Sequence, residues 1–165
     1  MDAKQSDPQQ HMVWDQYVVA HPEHRDVKPV IEQFGDSAAM ADELAALVLH
    51  GPKRATAGLV DDYVLDDEPL PLVGEHWVII DGQGVQQVVV RTTEVRVGSL
   101  DSVDDSFAWD EGEGDRTRDS WLAEHRAFAK RRCATQGLEI PAGGVDAMDA
   151  VFQRFEKVWP APDTD

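Results

Sequence analysis

Only one cysteine, Cys133, occurs in the 165 residues of the chain. It excludes an internal disulfide and fits a reducing compartment. Long apolar runs are missing as well. Stretches such as Val78–Ile80 and Val88–Val90 fall far short of the roughly 20 residues that a membrane-spanning helix needs. The opening MDAKQSDPQQ lacks the apolar segment of a secretory signal, so a cytoplasmic protein with no membrane partner is expected. Cations are scarce too. Fifteen Lys and Arg face 32 Asp and Glu, a formal net charge of −17. Such a surface disfavours a broad grip on nucleic acid, where affinity comes from neutralising many phosphates. Any nucleic-acid ligand should therefore be small, or be met by a local basic mouth. Glycine patterns that cradle phosphates or dinucleotides are absent. The histidines His11, His21, His24, His50 and His76 form no recognisable metal-ligand set.

What remains is enough for one core. The chain is 42% hydrophobic, with five Trp, five Phe and two Tyr, which suits one compact domain. Residues 1–10 read as a disordered polar tail, 11–160 as a single domain opened by a helical extension, and 161–165 as a second tail. Trp14, Tyr17 and Val18 have helical spacing, and Asp26 to Phe34 reads as another short helix begun near Pro29. The clearest helix runs from about Ser37 to His50, with Met40, Leu44, Leu47 and Val48 as its apolar stripe. Gly51-Pro52 stops it, the glycine as a left-handed cap. Beyond Asp61 the pattern turns to β: His76–Ile80, a turn at Asp81–Gly84, then a long strand over Val85–Val97. Helices over Ser102–Trp109 and Thr117–Arg132 precede a closing strand, Val151–Trp159. The order implies an α+β domain built on a small barrel.

Three features could carry chemistry. Lys53 and Thr56 share the segment just past the helix stop. A threonine hydroxyl needs a neighbouring base before it attacks, and a desolvated, neutral lysine can serve. The helix end opposes this, because its partial negative charge favours the ammonium; Lys53 would then act as a cation at a developing oxyanion. An ordinary strand start is the plainer reading of the same two residues. The acidic segment Phe107–Asp115 offers Asp110, Glu111, Glu113 and Asp115. It reads as a solvated turn capping the next helix, or as a carboxyl held beside Trp109 as a proton carrier. Calcium-loop spacing is not matched. His125, one turn after Trp121, reads as a packed or hydrogen-bonded histidine, and Cys133 as structural.

Taken together, Gly51-x-Lys53-x-x-Thr56 after a helix, Phe107 to Asp115, Ser120-Trp121, His125 and Phe152-x-x-Phe155 resemble the ASCH domain family over roughly residues 34–160. The run Glu111-Gly-Glu113-Gly-Asp115 is similar to its larger subgroup. The resemblance implies a small PUA-like mixed β-barrel flanked by helices. It also implies a metal-independent amidohydrolase, without cofactor, that removes the acetyl group from N4-acetylcytidine or a related N4-acylated cytosine nucleoside. By resemblance, Lys53, Thr56 and Glu111 are catalytic, with Glu113 in reserve. Arg54, Tyr63, Trp77, Arg91, Trp109, Glu113 and Arg116 are the expected substrate-binding residues. The family's motif places an arginine where this chain has Gly58, so another arginine must supply that contact. A non-catalytic RNA- or nucleotide-binding module and a ribonuclease are the alternatives, and the choice between monomer and dimer stays open.

Overall fold

The computed structural model describes residues 8–161; the expected tails at 1–7 and 162–165 lie outside the described residues. Helix α1 spans Pro8–Ala20, so residues 8–10 form its first turn rather than part of a tail. The further elements are β1 (Val30–Gln33), α2 (Ala38–Leu49), β2 (Ala55–Leu59), α3 (Val60–Leu65), β3 (His76–Ile80), β4 (Gln86–Ser99), α4 (Asp105–Glu111), α5 (Arg118–Gln136) and β5 (Asp149–Trp159). Hydrogen bonding orders the strands β1-β3-β4-β5-β2. The sheet is mixed, with β1 parallel to β3, and β3–β4 and β2–β5 antiparallel. The α+β class expected from the sequence is the one observed. Among the described residues no helix is long and apolar enough to cross a membrane.

Two compact units divide the chain. One holds the residues up to Gly51, with 74–92 and the chain from Phe155 onward. In it Val78–Ile80 of β3 and Val88–Val90 of β4 are continuous apolar runs, packed on both faces of the sheet. Trp77, Ile79, Val88 and Val90 pack with Leu44, Ala45 and Val48 of α2, while Val78 and Val89 meet Tyr17 of α1. Ser37 caps α2, its hydroxyl accepting from the Met40 amide at 3.1 Å. Its end differs from expectation. His50 is the C-cap, in right-handed helical geometry, and Gly51 is required by closeness, since a Cβ there would lie 2.9 Å from the Leu47 carbonyl oxygen. Residues 26–34, expected as a helix, contain β1, whose Val30 pairs with Trp77 far along the chain.

The other unit holds 52–73 and 93–154. Strand β2 runs antiparallel to β5, Ala55 opposite Arg154 and Leu59 opposite Ala150. One face of this pair, with Ala55, Ala57, Leu59, Ala150 and Phe152, is buried under Phe107 and Ala108 of α4 and Trp121, Leu122 and Ala129 of α5. β2 passes straight into α3, a short helix where the sequence suggested only β structure. Asp104 caps α4 through the Phe107 amide at 2.7 Å, and Thr117 caps α5 through Ser120 at 3.2 Å.

Candidate active site

The helix stop at Gly51-Pro52 delivers Lys53 to the start of β2, and α4 ends on Glu111 directly against it. Gly112 makes the approach possible. It caps α4 at φ +70°, a left-handed conformation natural to glycine. A Cβ on it would stand 2.8 Å from both Cα and N of Lys53. The two segments are tied by their backbones, the Arg54 amide donating to the Asp110 carbonyl at 2.7 Å.

Lys53 is 1% exposed. Its Nζ donates to the carbonyl oxygens of Ala55 at 2.8 Å and Glu111 at 3.4 Å, and to Glu113 Oε2 at 2.9 Å. Glu111 Oε1 lies 3.6 Å away. Glu111, 2% exposed, accepts from Trp121 Nε1 through its other oxygen and has His125 Nε2 3.2 Å from Oε1. The His125 ring stacks flat on Trp121, centroids 3.6 Å apart at 10°, and its Nδ1 sits 2.8 Å from the Trp121 carbonyl oxygen.

Both nitrogens of His125 therefore face oxygen acceptors. A neutral imidazole has only one N–H, so the imidazolium is the form that satisfies both contacts. Burial alone would lower the His125 pKa, but the Glu111 carboxylate outweighs it and the pKa is raised. Glu111 shows the reciprocal balance: burial favours its neutral form, yet His125 and Lys53 hold its pKa down to about 2. Glu113 goes the other way. Burial raises its pKa, aided by the neighbouring Glu111 and opposed by Lys53. With its side chain 26% exposed against 3% for Glu111, Glu113 is the carboxyl of the two that reaches solvent. The two neighbouring carboxyls are thus pushed in opposite directions.

The expected site residues are distributed unevenly. Lys53, Glu111 and Glu113 converge. Thr56 does not join them. Side chains alternate along a strand, so Thr56 leaves β2 on the face opposite Ala55 and Ala57, which pack under α4 and α5. Its hydroxyl makes no hydrogen bond to Lys53, Glu111 or Glu113. Arg54 is half-buried and donates to the Lys53 carbonyl at 2.6 Å. Tyr63 lies against the opening at Gly58, 3.4 Å from where a Cβ would be. Trp109 is 57% exposed, with the Arg116 guanidinium 3.6 Å over its ring. Trp77 and Arg91 belong to the other unit. There Trp77 is only 4% exposed within the core and has no face to offer a base, and Arg91 pairs with Glu156 at 3.3 Å.

The acidic segment is not a solvated turn throughout. Asp110 bonds Arg154, Glu111 and Glu113 serve Lys53, and only Asp115 caps locally, accepting from Thr117. Glu111 and Glu113 share Lys53 while Asp110 and Asp115 turn elsewhere, and among the described residues no group of these carboxylates is arranged to hold a metal ion. Trp121 and His125 are the members that residue reasoning did not assign a role. Their i, i+4 spacing on α5 placed them on one face, but only the fold reveals that this face meets Glu111. Cys133 is buried against Met148, and burial raises its thiol pKa, as suits a structural cysteine.

No curated protein matches the chain. Solved structures do match it, two of them along most of its length. One is an ASCH domain from Lactobacillus crispatus JV V101, with TM-score 0.79 and 25% identity over 96% of this chain and 99% of that one. The other is protein EF3133 from Enterococcus faecalis V583, with TM-score 0.78 and 34% identity over 91% of this chain and 88% of that one. The sequence model described as "ASCH domain" matches residues 30–159, from the first residue of β1 to the last of β5, with the buried Lys53–Glu111 pair between them. Fold, coverage and family model agree, and the chain belongs to the ASCH domain family, a PUA-like fold of RNA-binding or hydrolase type.

Proposed function

We propose that the protein is an amidohydrolase that cleaves the N4-acyl amide of an acylated cytosine nucleoside, with N4-acetylcytidine as the probe substrate. The observation that supports it is the buried Lys53 ammonium 2.9 Å from a carboxyl, Glu113, whose proton affinity is raised and which reaches solvent. The reaction needs a group that takes a proton and gives it back, beside a fixed positive charge.

The Glu113 carboxylate removes a proton from a water molecule as the oxygen attacks the amide carbon. Negative charge develops on the carbonyl oxygen and is met by Lys53. Collapse breaks the C–N bond while protonated Glu113 gives its proton to the exocyclic N4, releasing cytidine and the carboxylic acid. Glu111 stays ionised throughout and holds Lys53 in place. Water rather than Thr56 is the nucleophile in this scheme, because the Thr56 side chain leaves β2 on the other face from Glu111's helix. Trp109, with Arg116 over one side of its exposed ring, offers a stacking surface for the base. The same surface favours a second reading, a nucleotide-binding module without turnover.

Incubation with N4-acetylcytidine should yield cytidine and acetate. Lys53→Ala and Glu113→Gln should abolish turnover, and Thr56→Val should leave most of it. Absence of turnover, or turnover indifferent to Lys53→Ala, overturns the proposal; binding of cytidine without turnover then selects the module.

A further inference from the structure

A second concave feature lies in the same unit, beyond the Trp121 ring. A cavity of about 130 Å³ is lined by Glu94, Arg96, Asp104, Phe107, Phe152 and Arg154. Its aromatic walls are Phe107 and Phe152, set edge to face with centroids 5.1 Å apart. Phe152 also stacks against Trp121, centroids 5.9 Å apart, and Trp121 donates to Glu111. The Phe152 and Trp121 rings thus stand between this cavity and the Lys53–Glu111 cluster.

The charges around it are unequally committed. Arg154 donates to Glu94 at 2.9 Å, Asp110 at 3.0 Å and Ser106 at 3.1 Å, so Glu94 is already neutralised. Asp104 is turned to the first turn of α4 as its cap. Arg96 is different. Its guanidinium lies 4.1 Å over the Phe152 ring and donates to the Ser102 hydroxyl at 3.0 Å and carbonyl at 3.3 Å. Among the described residues no carboxylate forms a salt bridge with it. Of the two arginines that line this cavity, Arg154 is paired with carboxylates and Arg96 is not. It is also cradled: a Cβ on Gly98 would stand 2.8 Å from the Arg96 Nη1, so glycine leaves the room in which Arg96 lies back over Phe152. An exposed guanidinium turned to Ser102 in this way, with N–H groups left over beside a cavity, can meet an oxyanion that accepts two hydrogen bonds.

We infer that Arg96 and this cavity form a phosphate subsite, so that the protein acts on a phosphorylated cytosine nucleotide in preference to the free nucleoside. The inference rests on the reading of Lys53 and Glu113 as the place where the acylated base is held. It fits the charge of the whole chain, because a single phosphate is met locally while a long polyanion is repelled.

The test measures binding by calorimetry, separately for cytidine, cytidine 5′-monophosphate, cytidine 3′-monophosphate and inorganic phosphate. At low salt one of the two monophosphates should bind the wild type about tenfold more tightly than cytidine, as one charge-assisted contact allows. Arg96→Ala should erase that difference while leaving cytidine binding unchanged. Gly98→Ala, which keeps the charge but pushes the guanidinium from its cradle, should reduce it. Inorganic phosphate should compete with the favoured monophosphate and lose that competition in Arg96→Ala. Equal affinity for cytidine and both monophosphates, no binding of either monophosphate, or a preference that survives Arg96→Ala overturns the inference. Turnover is read separately, on N4-acetylated cytidine and its monophosphates. If none is hydrolysed but the Arg96-dependent preference holds, the amidohydrolase reading fails and the phosphate subsite stands.

Discussion

Glu111 and Glu113 are two residues apart and do different work, which substitution separates. Glu111 is enclosed by Lys53, His125 and Trp121. Replacing it with Gln leaves the buried His125 without its counter-charge and Lys53 with Glu113 alone, and breaking a buried pair on one side costs about 3–5 kcal/mol. Glu111→Gln should therefore unfold at markedly lower denaturant, whereas Glu113→Gln, at a partly exposed carboxyl, should lose turnover first and stability little; a urea titration beside the activity assay decides. The pH dependence has a definite sign. Glu111, lowered to about 2, contributes stability that is present above the ordinary carboxylate range and fades as pH falls toward 2. His125, raised, contributes stability that is complete below the ordinary histidine range and is lost as pH rises through its folded value. Glu113, also raised, adds to the loss on the alkaline side. Stability should peak on the acid side of neutrality. An NMR titration should find the His125 ring still protonated where an ordinary histidine is neutral, and a His125 that titrates below about 6.5 defeats the assignment.

Among the elements, the turn after α4 is the most exacting. Gly112 has φ +70° and backbone atoms of Lys53 and Pro52 within 3 Å of where a Cβ would be. Gly114 has φ +58°, yet its Cβ would meet only the Ser120 hydroxyl at 3.1 Å, the end of a movable side chain. Both alanine variants bear the left-handed penalty of about 1–2 kcal/mol. Only Gly112→Ala also forces α4 away from Lys53. It should lower the melting temperature more than Gly114→Ala and abolish turnover, while equal effects would show that close approach is unimportant. Sequence patterns made several elements legible for local reasons: the apolar stripe of α2, the apolar run of β3 and the Val- and Thr-rich run of β4; the cap of α5, expected at Asp115, is Thr117, to which Asp115 bonds. β1 was misread because its pairing partner, Trp77, is distant and Lys28-Pro29 imitates a helix start. α3 is six residues long, too short for periodicity to register, although Asp61 and Asp62 in its first turn suit a helix N-terminus. The site followed the same division. Lys53 and Glu111 came from a family resemblance, whereas the partnership of Glu111 with His125 depends on how α4 packs against α5.

At the scale of the whole molecule, charge sets which ligands can approach. Lys53, Glu111, Glu113, His125 and the Arg96 cavity all lie in the unit formed by 52–73 and 93–154, but the net charge of −17 belongs to the entire chain. A field of that sign raises the local concentration of neutral or singly charged ligands hardly at all and opposes polyanions. Salt screens it, with a Debye length of about 10 Å at 0.1 M. An ordinary nucleic-acid-binding protein loses affinity as salt rises, because bound counterions must be displaced. Here a longer substrate adds phosphates that meet repulsion rather than basic side chains. The rate constant kcat/KM on an acetylated ten-nucleotide RNA should therefore be lower than on the acetylated mononucleotide at low salt, and should climb toward it as sodium chloride is raised to about 0.3 M. The mononucleotide, held at one local cation, should change in the opposite direction and less steeply. An RNA substrate whose kcat/KM falls with salt would require a basic surface able to outweigh the field, and would favour the RNA-binding reading of the fold over a nucleotide amidohydrolase.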